Sequence, residues 1–276
     1  MPATSIHPMA VVEPGAELGT GVKIGPFCSV SSEAVIGDGV ELISHVSILG
    51  ATSLGQDSVV YPTAVLGAAP QNTKHTGGRT TLEIGRNTTI REGVTMHRGT
   101  DTSRGATTIG DNGNFLAYVH VAHDCKLGNN ITMANLATLG GHVTIGDSVI
   151  FGGLSAVHQF CRIGHHAFIG GAAKVFGDVI PYGMLQGNNG SLRGLNIIGM
   201  RRSGMPRAEI QAARAAYKVI FDRDHPVSEN LVRARTAFGE SPAAREIIDF
   251  LSNREKRHYS VPRIGRPSDD DADGED

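Results

Sequence analysis

Twelve histidines stand among the 276 residues of this chain, and the spacing of several carries the first chemical signal. His123, Gly141 and Gln159 are each 18 residues apart, with His120, His142 and His158 close beside them in sequence. His97 joins the group if the polar stretch that follows it loops out within one such interval. Asp124 follows His123 directly. A carboxylate beside an imidazole fixes its tautomer and stabilises the imidazolium. An imidazole of ordinary pKa, ~6.5, is well placed to take a proton from a hydroxyl at neutral pH. If 18 residues bring Gly141 over His123, the Gly141 N–H is placed to meet a developing oxyanion. Base and oxyanion donor one interval apart suit acyl transfer to an alcohol. A metal is the other chemistry that a histidine cluster offers, and it needs ligands converging at about 2 Å. Successive intervals of one chain hold most of these groups further apart, so a metal would need ligands from a second subunit. His7, His45, His165, His166, His225 and His258 read as ordinary surface residues.

An 18-residue interval must come from the backbone, and a six-residue period supplies it. Every sixth residue from Ile6 through Leu66 is aliphatic. The phase returns at Ile84, Ile90 and Met96, resets at Ile109, and runs from Phe115 to Val175 before breaking at Pro181. Two residues before each aliphatic residue comes a small or β-branched one, such as Ala10, Ala16, Val22, Cys28, Ala34 or Val40. The two share a face, because side chains alternate along a strand. Each hexapeptide therefore reads as a short strand and a turn, and three make one triangular coil. Coils stack at ~4.8 Å, pairing nearly every backbone group. Such repeats mark a parallel β-helix, an all-β solenoid. Glycine often follows the aliphatic residue, as at Gly19, Gly25, Gly37 and Gly55, where it is expected to relieve the bend. Cys28, Cys125 and Cys161 all fall in the small inward slot and read as buried, inert thiols.

Composition agrees. The formal net charge is -2, Trp is absent and aromatics are 5%. The balance gives no support for nucleic-acid binding. No stretch approaches the ~18 apolar residues of a membrane span. Three cysteines and no leader-like N-terminus suggest a cytoplasmic protein without disulfides.

The repeat is interrupted at 67–83 and at 98–108, and insertions in a solenoid become side loops that often carry function. The expected division is a β-helix over 1–186, an α-helical domain over 187–262 and an acidic, disordered tail over 263–276. Helical spacing covers Pro206 to Asp222 and Val227 to Phe238. Ser241-Pro242 looks like the cap and first position of a further helix through Leu251. Arg254 to Arg266 is basic and reads as solvated.

At these residues the sequence resembles the UDP-N-acetylglucosamine O-acyltransferases, the family that begins lipid A synthesis in Gram-negative bacteria. The segments that carry the resemblance are Ile24-Gly25-Pro26-Phe27-Cys28, Ile90-Arg91-Glu92-Gly93-Val94-Thr95, His97-Arg98-Gly99-Thr100, His120-Val121-Ala122-His123-Asp124-Cys125, Gly141-His142-Val143 and Ala156-Val157-His158-Gln159-Phe160-Cys161. Gln186-Gly187-Asn188 and Arg214-Ala215-Ala216-Tyr217-Lys218 extend it. The resemblance implies a left-handed β-helix and a homotrimer with sites between subunits. It implies transfer of an (R)-3-hydroxyacyl group from acyl carrier protein to the 3-hydroxyl of UDP-N-acetylglucosamine, with no cofactor and no metal. It assigns His123 as base, Asp124 as its partner and Gly141 as the oxyanion amide. Gln71, Asn72, Lys74, His97, His120, His142, His158 and Gln159 would line the substrate cleft. Asn196 and Arg202 would meet the nucleotide, and Gly171 and Asn189 would limit the acyl chain. Asn72 stands where the family commonly has an Asp on the sugar. Ile198 and Ser203 replace an expected Glu and a second Arg. A 3-amino UDP-sugar therefore stays open as acceptor. So does a trimeric metalloenzyme resembling the γ-type carbonic anhydrases, on the histidine column alone.

Overall fold

The computed structural model describes residues 3–253 and 258–262 and forms a left-handed parallel β-helix followed by four helices. The chain winds through three parallel sheets in rotation, beginning at Ser5–Ile6, Val11–Val12 and Glu17–Leu18. Register is 18 residues per coil, as in Ile6 on Ile24 and Val12 on Val30. The aliphatic residue of each hexapeptide and its small neighbour both point inward, so Val22, Ile24, Cys28 and Val30 are all buried. Burial of each such Leu or Ile stabilises the prism by about 1.5–3 kcal/mol. The edges are the turns between sheets, here called the first, second and third edge in chain order.

The glycine after each aliphatic residue serves close approach rather than a bend. A Cβ at Gly25 would lie 1.7 Å from the Ile43 carbonyl oxygen of the next coil. The left-handed backbone falls two residues later and is mostly not glycine: Tyr118, Asp124, Asn130, Leu136, His142 and Leu154 all have φ near +60°. Each costs on the order of 1–2 kcal/mol, and coil-to-coil bonds such as Leu136 N to Ala117 O at 3.0 Å hold it in place.

Both insertions leave the second edge. They are shorter than the sequence suggests, because strands Val65–Ala68, Thr81–Ile84 and Ala106–Ile109 reclaim their ends. The loops proper are 69–80 and 98–105. The parallel pattern also outlives Pro181: Gly183–Gln186 continues the first sheet, and Ser191–Leu195 pairs with it antiparallel, beyond the expected boundary at 186.

The helices are α1 (Ile197–Arg202), α2 (Arg207–Ile220), α3 (Val227–Phe238) and α4 (Pro242–Ser252). The short α1 has no counterpart in the sequence reading. Ser241 caps α4 through Ala244 N, as its type predicts. Ile210, Ala213, Leu231, Ala234, Ile247 and Ile248 form the apolar contact among α2, α3 and α4. Arg162 ties this part to the solenoid, bonding Asp178 at 2.7 Å and the Phe250 carbonyl at 3.3 Å. Residues 258–262 are not solvated coil: Tyr259 bridges Asp178 and Pro262 bridges Leu192. The acidic tail at 263–276 lies outside the described residues.

Candidate active site

Four elements meet on the second edge. The turn at 122–125 presents His123 and Asp124, and the turn at 140–143 presents Gly141 and His142. The loops 69–80 and 98–105 fold over them. Register follows the 18-residue coil: His142 N donates to the His123 carbonyl at 3.0 Å. Gly141 sits directly on the His123 ring, where a Cβ would lie 2.6 Å from its Cε1. Glycine is required here because any side chain would displace the imidazole.

His123 and Asp124 are both buried. His123 Nδ1 is 2.8 Å from Asp124 Oδ2. Asp124 is further held by Thr100, whose N–H reaches Oδ1 at 3.1 Å and whose hydroxyl reaches Oδ2 at 2.8 Å. Burial pushes the Asp124 carboxyl up, but the bonds from His123 and Thr100 and the nearby His142 outweigh it, and the net direction is down. An ionised carboxylate on Nδ1 makes that nitrogen the donor and leaves the lone pair on Nε2. Asn72 agrees with this tautomer. Its Oδ1 accepts from Lys74 N at 2.9 Å, which turns its NH2 towards His123 Nε2 at 3.4 Å.

The other histidines surround this pair. His142 packs edge-on against His123 with ring centroids 5.1 Å apart, and its Nε2 is 3.7 Å from Asp124 Oδ2. His97 and His120 form a second edge-on pair at 5.0 Å. Burial, then His120 and His123, push His97 down to about 4. Burial and His123 lower His120. Burial, His123 and Arg104 lower His142 against the opposing pull of Asp124. All three rings are thus held neutral at pH 7.

His158 and Gln159 sit one coil further on and are exposed. His158 Nδ1 meets only the Gln159 carbonyl, at 3.1 Å, among the polar groups described. Gln71 and Lys74 are exposed on the loop. Asn196 stands apart from the edge: it caps α1 through Gly199 N at 2.9 Å and donates to His166 O at 3.0 Å. Arg202 is exposed in the last turn of α1, and Gly171 and Asn189 are exposed near the solenoid's end.

Sequence reasoning missed the residues of the two interruptions that brace the site. Thr100 and Thr107 both bond to Asp124, the latter through Asp124 N at 2.8 Å. Asp101 clasps the first loop to the second, accepting from Gly78 N at 2.8 Å, from Thr76 and from His75. Its carboxyl is held well below the usual range, chiefly by the Thr76 hydroxyl and Gly78 N–H. The signals available were the polar composition of those interruptions and, for Thr100, its place at the end of the segment His97-Arg98-Gly99-Thr100.

The arrangement is a general base with a fixed tautomer and a backbone donor above it. His123, Asp124 and His142 also bring possible ligand atoms within 4.8 Å of one another, the one such group among the described residues. Two of those atoms are already joined by the His123–Asp124 bond.

Known proteins show the same plan. A family profile described as UDP-N-acetylglucosamine O-acyltransferase, domain 2, matches residues 178–259. The acyl-[acyl-carrier-protein]–UDP-N-acetylglucosamine O-acyltransferase of Mesorhizobium japonicum is 64% identical, covering 99% of this chain and 98% of the relative. That of Bartonella henselae is 54% identical, covering 96% of each. Among solved structures, the related acyltransferase from Acinetobacter baumannii superposes with a TM-score of 0.88 at 38% identity, over 94% of this chain and 99% of the other. The UDP-N-acetylglucosamine acyltransferase from Campylobacter jejuni gives 0.87 at 37%, over 95% and 100%.

Proposed function

The chain belongs to the UDP-N-acetylglucosamine O-acyltransferase family, and we propose that it performs the family's transfer at His123. It is an O-acyltransferase that moves an acyl group from acyl carrier protein to UDP-N-acetylglucosamine, the first step of lipid A biosynthesis. The acyl group is read as an (R)-3-hydroxyacyl chain and the acceptor as the 3-hydroxyl. The observation that carries the assignment is one geometry. His123 donates Nδ1–H to a buried carboxylate, turns Nε2 outward, and packs under the Gly141 backbone.

The sugar hydroxyl gives its proton to His123 Nε2 as its oxygen bonds to the thioester carbon. The carbonyl electron pair moves to oxygen, and the oxyanion accepts from Gly141 N–H. Asp124 stabilises the imidazolium without taking its proton. The intermediate collapses, the carbon–sulfur bond breaks, and the leaving thiolate recovers the proton from Nε2. Asn72, Lys74, His97, His120 and His142 line the acceptor side. A second reading rests on Asn72: a neutral amide beside Nε2 does not hold a 3-amino group as ammonium, so a 3-amino UDP-sugar would also find a nucleophilic fit.

The assembly is a homotrimer in this proposal. The first edge exposes a column of Tyr118 (62%), Leu136 (48%) and Leu154 (64%) on successive coils, an apolar stripe of the kind that marks a protein interface. A neighbouring subunit would also cover His158, Gln159 and Phe160. A cytoplasmic site of action fits three free, buried thiols. No described helix is long and apolar enough to cross a membrane.

His123→Ala is the test. We expect a folded trimer by light scattering and a fall in kcat of ~10²–10⁴-fold. Activity above a few per cent would remove His123 as base. Metal analysis of the active protein checks the metalloenzyme alternative.

A further inference from the structure

The third edge shows how this fold closes a turn amide with a side chain. In the regular turns the second residue after the aliphatic one, where it is not proline, has an N–H that no backbone carbonyl meets; at the start of the second loop, by contrast, Arg98 N meets the Ala68 carbonyl at 3.1 Å. On the third edge four of these amides are capped by the equivalent residue of the next coil. Thr20 N donates to Asp38 Oδ1 at 2.7 Å, and Arg86 N to Asp111 Oδ1 at 3.0 Å. Asp111 N donates to Asn129 Oδ1 at 2.9 Å, and Asn129 N to Asp147 Oδ1 at 2.7 Å.

Two conditions govern the cap. The residue before the amide is glycine in all four cases, and a Cβ there would lie within 2.6 Å of the capping oxygen at Gly19, Gly85, Gly110 and Gly128. The capping residue is Asp or Asn. Where either condition fails, the equivalent residue of the next coil forms no cap; the Ser32 amide is met instead from the preceding coil, by Glu13 Oε2 at 2.8 Å. Leu116 precedes Ala117, and Asn135 makes no bond to that amide. Gly37 precedes Asp38, but the next coil offers Gln56, whose amide turns to Asp57 instead, at 3.4 Å.

Gly141 has the first condition and lacks the second. Gly140 precedes it, and the next coil presents Gln159, whose side chain stays exposed. Among the described residues, no group accepts from Gly141 N–H. Asp38 and Asp147 display, at the amides of Thr20 and Asn129, what this position accommodates: an anionic oxygen 2.7 Å from the nitrogen, over a glycine.

We propose that Gly140 and Gln159 are positioning residues that keep the Gly141 amide open for the oxyanion. Gly140 clears the space an oxygen needs, and Gln159 is one methylene too long to fill it. This rests on the oxyanion reading of Gly141 and deepens it.

The test is Gln159→Asn against Gln159→Ala in the full-length enzyme, with a crystal structure of the first. Alanine removes the Gln159 contacts without supplying a cap and sets the baseline. Asparagine supplies the cap without charge, as Asn129 does. The expected result is the introduced side-chain oxygen within about 3 Å of Gly141 N and a kcat at least tenfold below the alanine variant, with KM for UDP-N-acetylglucosamine close to it. A capped amide with kcat equal to the alanine variant would remove Gly141 as oxyanion donor and leave the capping rule standing. An uncapped amide in the asparagine variant would overturn the rule itself, whatever the activity.

Discussion

The second and third edges are built from one hexapeptide and serve opposite ends. On the third edge, Asp38, Asp111, Asn129 and Asp147 spend their oxygens on turn amides one coil away. Four turn amides are satisfied within the wall, and the edge is inert. On the second edge the same turn holds His123 and Gly141, and two loops brace a carboxylate below them. What separates a catalytic edge from a structural one is where the polar side chains point. The repeat places amides at a fixed spacing either way. Local side chains decide whether those amides are consumed by the fold or left for a ligand.

Removing the brace should show the difference at its largest. Asp124→Asn keeps the size of the side chain but loses the charge and one acceptor. We expect roughly a 10²-fold or greater loss of kcat, with substrate KM changed far less. A loss under threefold would mean that Asp124 orients nothing needed for turnover.

Next comes the neutral ring at His97. Its folded pKa lies near 4, below the ordinary value of 6.5. Between those values the unfolded chain binds a proton that the native chain refuses, so stability falls as pH drops from about 6.5 towards 4. The full difference is roughly 3 kcal/mol. Urea unfolding of His97→Gln at pH 7 and pH 5 should show a shallower dependence than the parent, with the remainder from His120 and His142. An unchanged slope would show that His97 is not the buried neutral group described here.

The smallest effect belongs to the inert edge. Asn129→Ala should cost about 0.5–1 kcal/mol by opening the Asp111 amide to water, and leave kcat unchanged. A loss of activity there would break the contrast between the edges.

Much of this was legible in the sequence, for physical reasons that can be named. Inward aliphatic positions follow a strict period from Ile6 to Leu66 and again from Ile109 to Val175, so the prism and the stacking of Gly141 over His123 could be counted out. Loop ends could not be counted: Thr81–Ile84 and Ala106–Ile109 rejoin the sheet before the period visibly returns. Thr100 and Asp101 lie in a loop without periodicity, and their partners are set by tertiary contact. The glycines were seen, but their cause was misread as conformational freedom instead of interlayer clearance. Six-residue α1 is too short to announce itself by amphipathic spacing. The resemblance brought Asn196 forward as a nucleotide contact. Its cap to Gly199 and its bond to His166 needed coordinates.

The antiparallel return at Ser191–Leu195, with Leu192 N bonded to Val261 O at 3.1 Å, has a consequence for assembly. A parallel stack has no intrinsic reason to stop, and its last rung is a template for another strand. Here the chain reverses and lays Val261 and Pro262 along that rung, Pro262 lacking the amide that would recruit a further partner. The last strand of the first sheet is thereby covered, and another molecule cannot add to that sheet there as a further rung.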